Sequence, residues 1–405
     1  SLQPGIGKVV SSIFSFEGNE FYVVPLPTHL QGLRFGEAQF YFPHSIVAGI
    51  LKGHKSACTR SFCPPPDTVL EEGDSLVLYA LDVTWTSANL EPSDVVHPIG
   101  AVLSSGRSTL QLGPPPQAET VILLGWNTQI AGVLLLELEE ACLKGSKVLI
   151  LAPSSVEDRN AYLERMQKRE NRKFVNLHFQ HVVGRLGSRH VLEELPISVT
   201  QATRIFILSD YSERNPSMAD ASTITNVLLV RDMMQRGKEI KDKHVPIIPE
   251  IRNGNTRLLC EEIKVNDLVD ASGTPAQILA CIAHGPMLAP LISDLISEHG
   301  SVRIYLRHLS AYLPATMKPP PAICFLEALH YVTAQGDILL GWSLRVDEDQ
   351  VVQRAFNERM TTLCLNEHFL EWEMNPKDKM IQRPWKDDLD WIVVIAPHNQ
   401  RKRGR

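Results

Sequence analysis

Residues 120–145 read TVILLGWNTQIAGVLLLELEEACLKG, and the fold of the chain turns on how they divide. Val121, Ile122, Leu123 and Leu124 form an unbroken apolar run, the pattern of a strand buried on both faces of a parallel sheet. Gly125 breaks the run and a helical pattern follows at once. A second apolar run, residues 147–152, begins just after Gly145. Strand, glycine turn, helix, glycine and strand make the opening βαβ unit of a doubly wound sheet.

The alternation continues downstream. Residues 154–173 form a charged helix with Tyr162, Leu163 and Met166 on its inner face. Strands are expected over 175–183, 203–210 and 245–251, a short helix over 189–195 and a long one over 219–236 closed by Gly237. Another short helix over 257–263 and an extended piece at 267–270 complete an α/β domain spanning 119–272, a Rossmann-like parallel sheet of five or six strands. Residues 273–300 continue as a long helix that Pro286 and Pro290 must kink or split, since proline removes a ladder hydrogen bond and clashes with the preceding turn.

On either side lie small β-rich lobes. In residues 1–95 strands are expected at 20–24, 38–42, 45–51 and 76–80, the last after a turn at Gly73-Asp74. Residues 96–118 form a semi-rigid linker ending in Gly113-Pro-Pro-Pro116. Residues 301–400 carry strands at 302–306, 338–342 and 391–395, and a basic tail, RKRGR, occupies 401–405. The lobes resemble each other: Ile46-Val-Ala-Gly49 aligns with Ile338-Leu-Leu-Gly341, and residues 73–78 with residues 389–394. A polar insertion near residues 347–370 accounts for the difference in spacing. The order lobe, Rossmann-like domain, lobe is that of two tandem modules of which the first lacks its Rossmann half, and a chain that starts at Ser1 rather than Met is expected to be part of something longer.

Composition bounds the function. The 405 residues are 44% hydrophobic and 21% charged, as in a globular protein with a sizeable core. A net charge of −6 gives no electrostatic case for nucleic acid. No apolar run reaches the roughly 18–20 residues of a membrane span. The seven scattered cysteines are read as reduced and mostly buried; Cys58 and Cys63 lack the second pair a zinc site needs.

Three chemistries come into question. A dinucleotide site needs G-x-G-x-x-G after the first strand, so that backbone can approach a pyrophosphate. Here only Gly125 is present; Trp126 and Asn127 bring bulk into the turn, and Ala152-Pro153 stands where an acid would hold a ribose. Gly125 is therefore expected to be structural, and NAD is not expected as a cofactor. Asp210, Glu213 and Asp220 gather after a buried strand and are candidate ligands for a hard cation such as Ca²⁺, against the plainer reading of a helix-start carboxylate and solvated neighbours. Nucleophilic catalysis finds neither G-x-S-x-G nor H-E-x-x-H, His244 and His284 have no evident partner, and no enzyme is expected.

Phe16-Glu-Gly-Asn-Glu-Phe-Tyr22, Leu33, Phe35, Phe42-Pro43, Gly49-Ile50 and Leu70-x-Glu-Gly-Asp74 resemble the run found in CASTOR/POLLUX-type ion channels. Ile122-Leu-Leu-Gly-Trp126, Leu192-Glu-Glu-Leu-Pro196, Ile207-Leu-Ser-Asp210, Leu228-Leu-Val-Arg-Asp232 and residues 387–395 resemble the second RCK domain of that family, in the same order. The resemblance implies a cation channel with pore helices upstream and a tetrameric ring of tandem RCK domains, each a Rossmann-like lobe plus a β-rich lobe. It also implies gating by a ligand, Ca²⁺, and a nuclear-envelope membrane. The alternative reading is a soluble nucleotide-sensing regulatory subunit or an NAD(P)-binding Rossmann protein, which requires a working dinucleotide turn.

Overall fold

The computed structural model describes residues 5–15, 18–53, 60–93, 117–236, 245–263, 265, 267–297, 300–313, 317–345, 370–387 and 389–398. The linker at 96–118 and the insertion at 347–370 lie outside these residues except at their edges; the basic tail, Cys58 and His244 lie outside them altogether. Two compact units result, one of residues 1–113, 276–348 and 370–405, the other built on residues 114–275.

The first lobe comprises α1 (Ile6–Phe14), β1 (Glu20–Pro25), α2 (Phe35–Ala38), β2 (Ile46–Leu51), β3 (Arg60–Phe62) and β4 (Ser75–Ala80). Its antiparallel sheet has the order β1-β4-β2-β3. The strand expected over 38–42 is absent: α2 and a 3-10 turn, Gln39–Tyr41, stand there. Local hydrogen bonds decide against the strand. The Glu37 carboxylate accepts the Arg34 N–H at 2.9 Å and caps a turn. The buried Gln39 side chain accepts the Val47 N–H at 3.0 Å and donates to the Val47 carbonyl.

The second unit is a six-stranded parallel sheet of β5 (Thr120–Leu124), β6 (Ser146–Ala152), β7 (Leu177–Val183), β8 (Arg204–Ile207), β9 (Ile247–Ile251) and β10 (Val269–Asp270), ordered β10-β9-β8-β5-β6-β7. That is the doubly wound order, reversing between β5 and β8. The connecting helices are α3 (Ala131–Ala141), α4 (Val156–Glu170), α5 (Arg189–Glu193), α6 (Pro216–Arg236) and α7 (Gly254–Glu262). Val121 and Leu123 enter the core on one face of the sheet, Ile122 and Leu124 the core on the other. This two-sided burial explains why β5 is uniformly apolar.

The expected long helix is broken. α8 (Gly273–His284) ends at Gly285, Pro286–Leu288 form a 3-10 turn, and α9 (Ala289–Ile296) leaves at 115° to it. Among the described residues no single helix is long and apolar enough to cross a membrane. Ile278 and Ile282 of α8 and Leu291, Ile292 and Leu295 of α9 pack into the first unit.

The second lobe adds β11 (Val302–Arg307), β12 (Ala322–Ile323), α10 (Phe325–Ala334), β13 (Ile338–Arg345), β14 (Leu370–Met374), β15 (Arg383–Pro384) and β16 (Ile392–Pro397). Its four-stranded sheet, β11-β16-β13-β14, repeats the order of the first. The likeness extends to irregularities. Both sheets carry a register shift, between Val47 and Gly49 and between Leu339 and Gly341. A residue of positive φ follows each edge strand, Cys63 (φ 48°) and Asn375 (φ 46°), and its N–H bonds the bulge carbonyl of Ala48 or Leu340. Glu327 accepts the Cys324 N–H at 2.9 Å, as Glu37 does that of Arg34. The two lobes share one continuous hydrophobic core, an arrangement no local pattern announces. Each fully buried aliphatic or aromatic side chain in it contributes about 1.5–3 kcal/mol.

Candidate functional site

In a doubly wound sheet the ligand crevice lies beyond the carboxyl ends of the strands, where the order reverses. Gly125 ends β5 at that point with φ 98°, and its N–H donates to the Leu151 carbonyl at 2.9 Å. A Cβ here would lie 2.7 Å from the Leu208 carbonyl oxygen. The following turn is closed. Buried Asn127 accepts the Gln129 N–H on its side-chain oxygen at 2.8 Å, and its carbonyl takes the N–H groups of Ile130 (3.2 Å) and Ala131 (2.8 Å). Trp126 packs edge-on against Tyr162 at 5.7 Å, and the Tyr162 hydroxyl donates to the Thr128 carbonyl at 2.5 Å. The amides of Gln129, Ile130 and Ala131 are thus bonded within the turn.

Around the ends of β8, β9 and β10 the structure builds a polar network instead. Exposed Asp210 accepts from Ser212, N–H at 2.8 Å and hydroxyl at 2.6 Å. Glu213 accepts the Asn215 N–H at 2.9 Å. Pro216 then opens α6, where a missing N–H costs nothing. Asp220 is fully buried, its two oxygens accepting the N–H groups of Arg252 (2.8 Å) and Asn253 (2.9 Å). The three residues are neighbours, but their carboxylates are engaged separately by backbone rather than turned to a common point. The described residues hold no group of three or more His, Cys, Asp or Glu placed to share a metal ion.

What joins these segments is Arg252. Its Nη1 donates to the carbonyls of Asp210 (3.1 Å) and Glu213 (2.9 Å), and its guanidinium lies 4.4 Å from the centre of the Tyr211 ring. The Tyr211 hydroxyl donates to Glu250 at 2.8 Å, and the other Glu250 oxygen accepts the Ser209 N–H at 3.0 Å. The Ser272 hydroxyl closes the network on the Arg252 carbonyl at 3.0 Å. Burial pushes the Glu250 carboxyl up, and burial with the Glu250 bond pushes the Tyr211 phenol up to about 12. Sequence reasoning missed Tyr211, Glu250 and Arg252; the available signal was two charges, Glu250 and Arg252, at the end of an otherwise apolar strand. The network is a latch that couples three strand ends to the loop before α6.

Residues 1–95 match the family model described as Castor and Pollux, part of voltage-gated ion channel. The chain is 24% identical over 435 residues to a probable ion channel POLLUX of Oryza sativa subsp. japonica, covering 98% of this chain and 40% of that protein. It is 22% identical over 397 residues to a probable ion channel POLLUX of Arabidopsis thaliana, covering 91% of this chain and 45% of that protein. It therefore spans less than half the length of these relatives. Among solved structures, the human SLO3 gating ring superposes with a TM-score of 0.57 at 13% identity, covering 97% of this chain and 69% of that one. By fold, then, the chain resembles that gating ring, a Rossmann-like sheet with paired β-rich lobes. By sequence it is similar to CASTOR/POLLUX-type ion channel proteins, through the family model over residues 1–95 and the relatives along nearly its whole length.

Proposed function

We propose that this chain is the ligand-sensing gating-ring portion of a CASTOR/POLLUX-like cation channel, and not an enzyme. The observation that carries the reading is the duplicated β lobe joined to a Rossmann sheet whose nucleotide turn is closed by its own side chains. Such a unit offers a scaffold for assembly and for a ligand-dependent change of shape. In this reading a ligand acts by binding one state of the ring more tightly than the other, and the strain reaches pore helices elsewhere in the protein.

Self-association is part of the proposal. Leu228 of α6, Leu258 and Leu259 of α7 and Val269 of β10 are 44%, 64%, 44% and 49% exposed on adjoining elements, an apolar surface suited to another copy. A tetrameric ring on the soluble, cytosolic or nucleoplasmic, side of a membrane, the nuclear envelope by family resemblance, follows from the same reading. Calcium is the first ligand to test, with Asp210, Glu213 and Asp220 as the candidate carboxylates. Light scattering with and without Ca²⁺, on the natural chain and on Leu258→Glu/Leu259→Glu, tests the assembly. A stable monomer under all conditions would count against it. Micromolar affinity for NAD or ATP would instead favour a nucleotide-sensing subunit.

A further inference from the structure

We propose that the cleft between the two β lobes is a binding site for a small organic ammonium ion. The cleft has a volume of about 220 Å³ and lies within the first unit. Leu81 and Trp85 of the first lobe and Glu373 and Asn375 of the second line it.

The observation that points to a ligand is the Asn375 side chain. Both lobes require a left-handed residue at this position, and Cys63 and Asn375 fill the equivalent places. Cys63 is fully satisfied: its N–H bonds Ala48, and its thiol donates to the Ile395 carbonyl at 3.0 Å. Asn375 is not. Its N–H bonds Leu340, and its Nδ2 donates to the His44 carbonyl and to Asn19 Oδ1, each at 2.9 Å. Because a backbone carbonyl only accepts, these bonds fix which end of the amide is nitrogen. The remaining atom, Oδ1, is buried with no hydrogen-bond partner, in a residue only 4% exposed. A buried acceptor left unmade is costly, and a donor in the cleft would relieve it.

The rest of the lining selects the donor. Glu373 uses one oxygen to accept the Trp342 indole N–H at 2.7 Å, which leaves its charge and its other oxygen for the cleft. Half-buried Trp85 offers an aromatic wall, and Leu81 and Met374 supply apolar surface. Two side-chain oxygens are too few for a bare hard cation, which takes about six to eight. They suit an alkylammonium group, whose N–H donors reach both oxygens while its carbon chain lies on the apolar wall. Exposed Lys377 at the same cleft would add a contact to the carboxylate of a zwitterion.

The test is calorimetric titration of the 405-residue chain with butylammonium, with leucine and with butyrate, on the natural protein and on Glu373→Gln and Asn375→Gly. The glutamine keeps an acceptor for Trp342, and the glycine keeps the left-handed backbone, so thermal melts check that each variant folds. Saturable binding of butylammonium or leucine, none of butyrate, and affinity about tenfold weaker in Glu373→Gln are expected, the loss of one charge-assisted hydrogen bond. Leucine binding tighter than butylammonium would assign the zwitterion, and the reverse the simple amine. No saturable binding of either, or affinity unchanged in a folded Glu373→Gln, would overturn the proposal and leave Oδ1 hydrated by solvent alone.

Discussion

The missing Cβ of Gly125 would sit 2.7 Å from the carbonyl oxygen of Leu208, so β5 and β8 approach at their carboxyl ends as closely as a glycine allows. The same residue holds φ at 98°, a region side chains rarely enter. Strain and overlap each cost about 1–3 kcal/mol. Gly125→Val should therefore lower the melting temperature of the α/β unit, by roughly 6–12 °C for a loss of about 3 kcal/mol. An unchanged melt would show that the turn is not tight.

The two β lobes make a paired prediction. A Cβ at Gly49 would meet the Ser61 carbonyl oxygen at 2.5 Å, and one at Gly341 the Glu373 carbonyl oxygen at the same distance. Each glycine stands at the bulge its strand makes against its central neighbour, β4 or β16, and pairs on its other side with the edge strand, β3 or β14. Gly49→Ala and Gly341→Ala should destabilise the first unit by similar amounts, about 2 kcal/mol each. Chemical denaturation curves measure both, and a large difference between them would deny the equivalence.

Arg307 and Asp337 form a buried ion pair at 2.5 Å, with the Tyr312 hydroxyl donating to the same carboxylate at 2.6 Å. Removing one partner of such a pair leaves a buried charge and costs about 3–5 kcal/mol, whereas replacing both with apolar groups is often tolerated. Asp337→Leu should therefore unfold the first unit far more readily than Arg307→Met/Asp337→Leu. A denaturation series on the two variants decides the matter; equal losses would mean the pair carries no coupling.

Lys379 is buried, and its ammonium donates only to carbonyls, Ser45 at 2.6 Å and Phe42 at 3.4 Å. Burial without a carboxylate partner depresses it to about 7 from an ordinary 10.5. Between those values the unfolded chain binds more protons than the folded one, so this lysine's contribution to stability rises with pH across that window and its cost is greatest below it. In Lys379→Met that slope should vanish. Melting temperatures of both proteins from pH 6 to pH 10 give the readout, the difference between them shifting in favour of the natural chain as pH rises. Parallel profiles would place the lysine in solvent.

The α/β alternation was legible because it is a local property. A four-residue apolar run bounded by glycine fits a two-sided strand, and β5 and β6 stand where their patterns put them, while the strand expected over 203–210 ends at Ile207. The repeat was legible as well, since Ile46–Gly49 and Ile338–Gly341 must answer the same bulge with the same glycine. Where side-chain hydrogen bonds compete with periodicity the reading failed: Glu37 and Gln39 turned an expected strand into α2 and a 3-10 turn.

Of the polar network, Asp210, Glu213 and Asp220 could be named from sequence because they cluster along the chain. Their roles could not, because Arg252, just past a strand some 30 to 40 residues away, engages them, its N–H bonding the Asp220 carboxylate and its guanidinium the carbonyls of Asp210 and Glu213. By itself, then, the sequence determined the periodic elements and the duplicated bulge, which short local patterns carry. Only the tertiary structure decided that the two β lobes share one core, that the nucleotide turn is filled by Trp126 and Tyr162, and that Asn375 keeps a buried oxygen unpaired at the edge of a cleft. Such outcomes depend on which distant groups meet once burial has excluded water, and no local pattern encodes that.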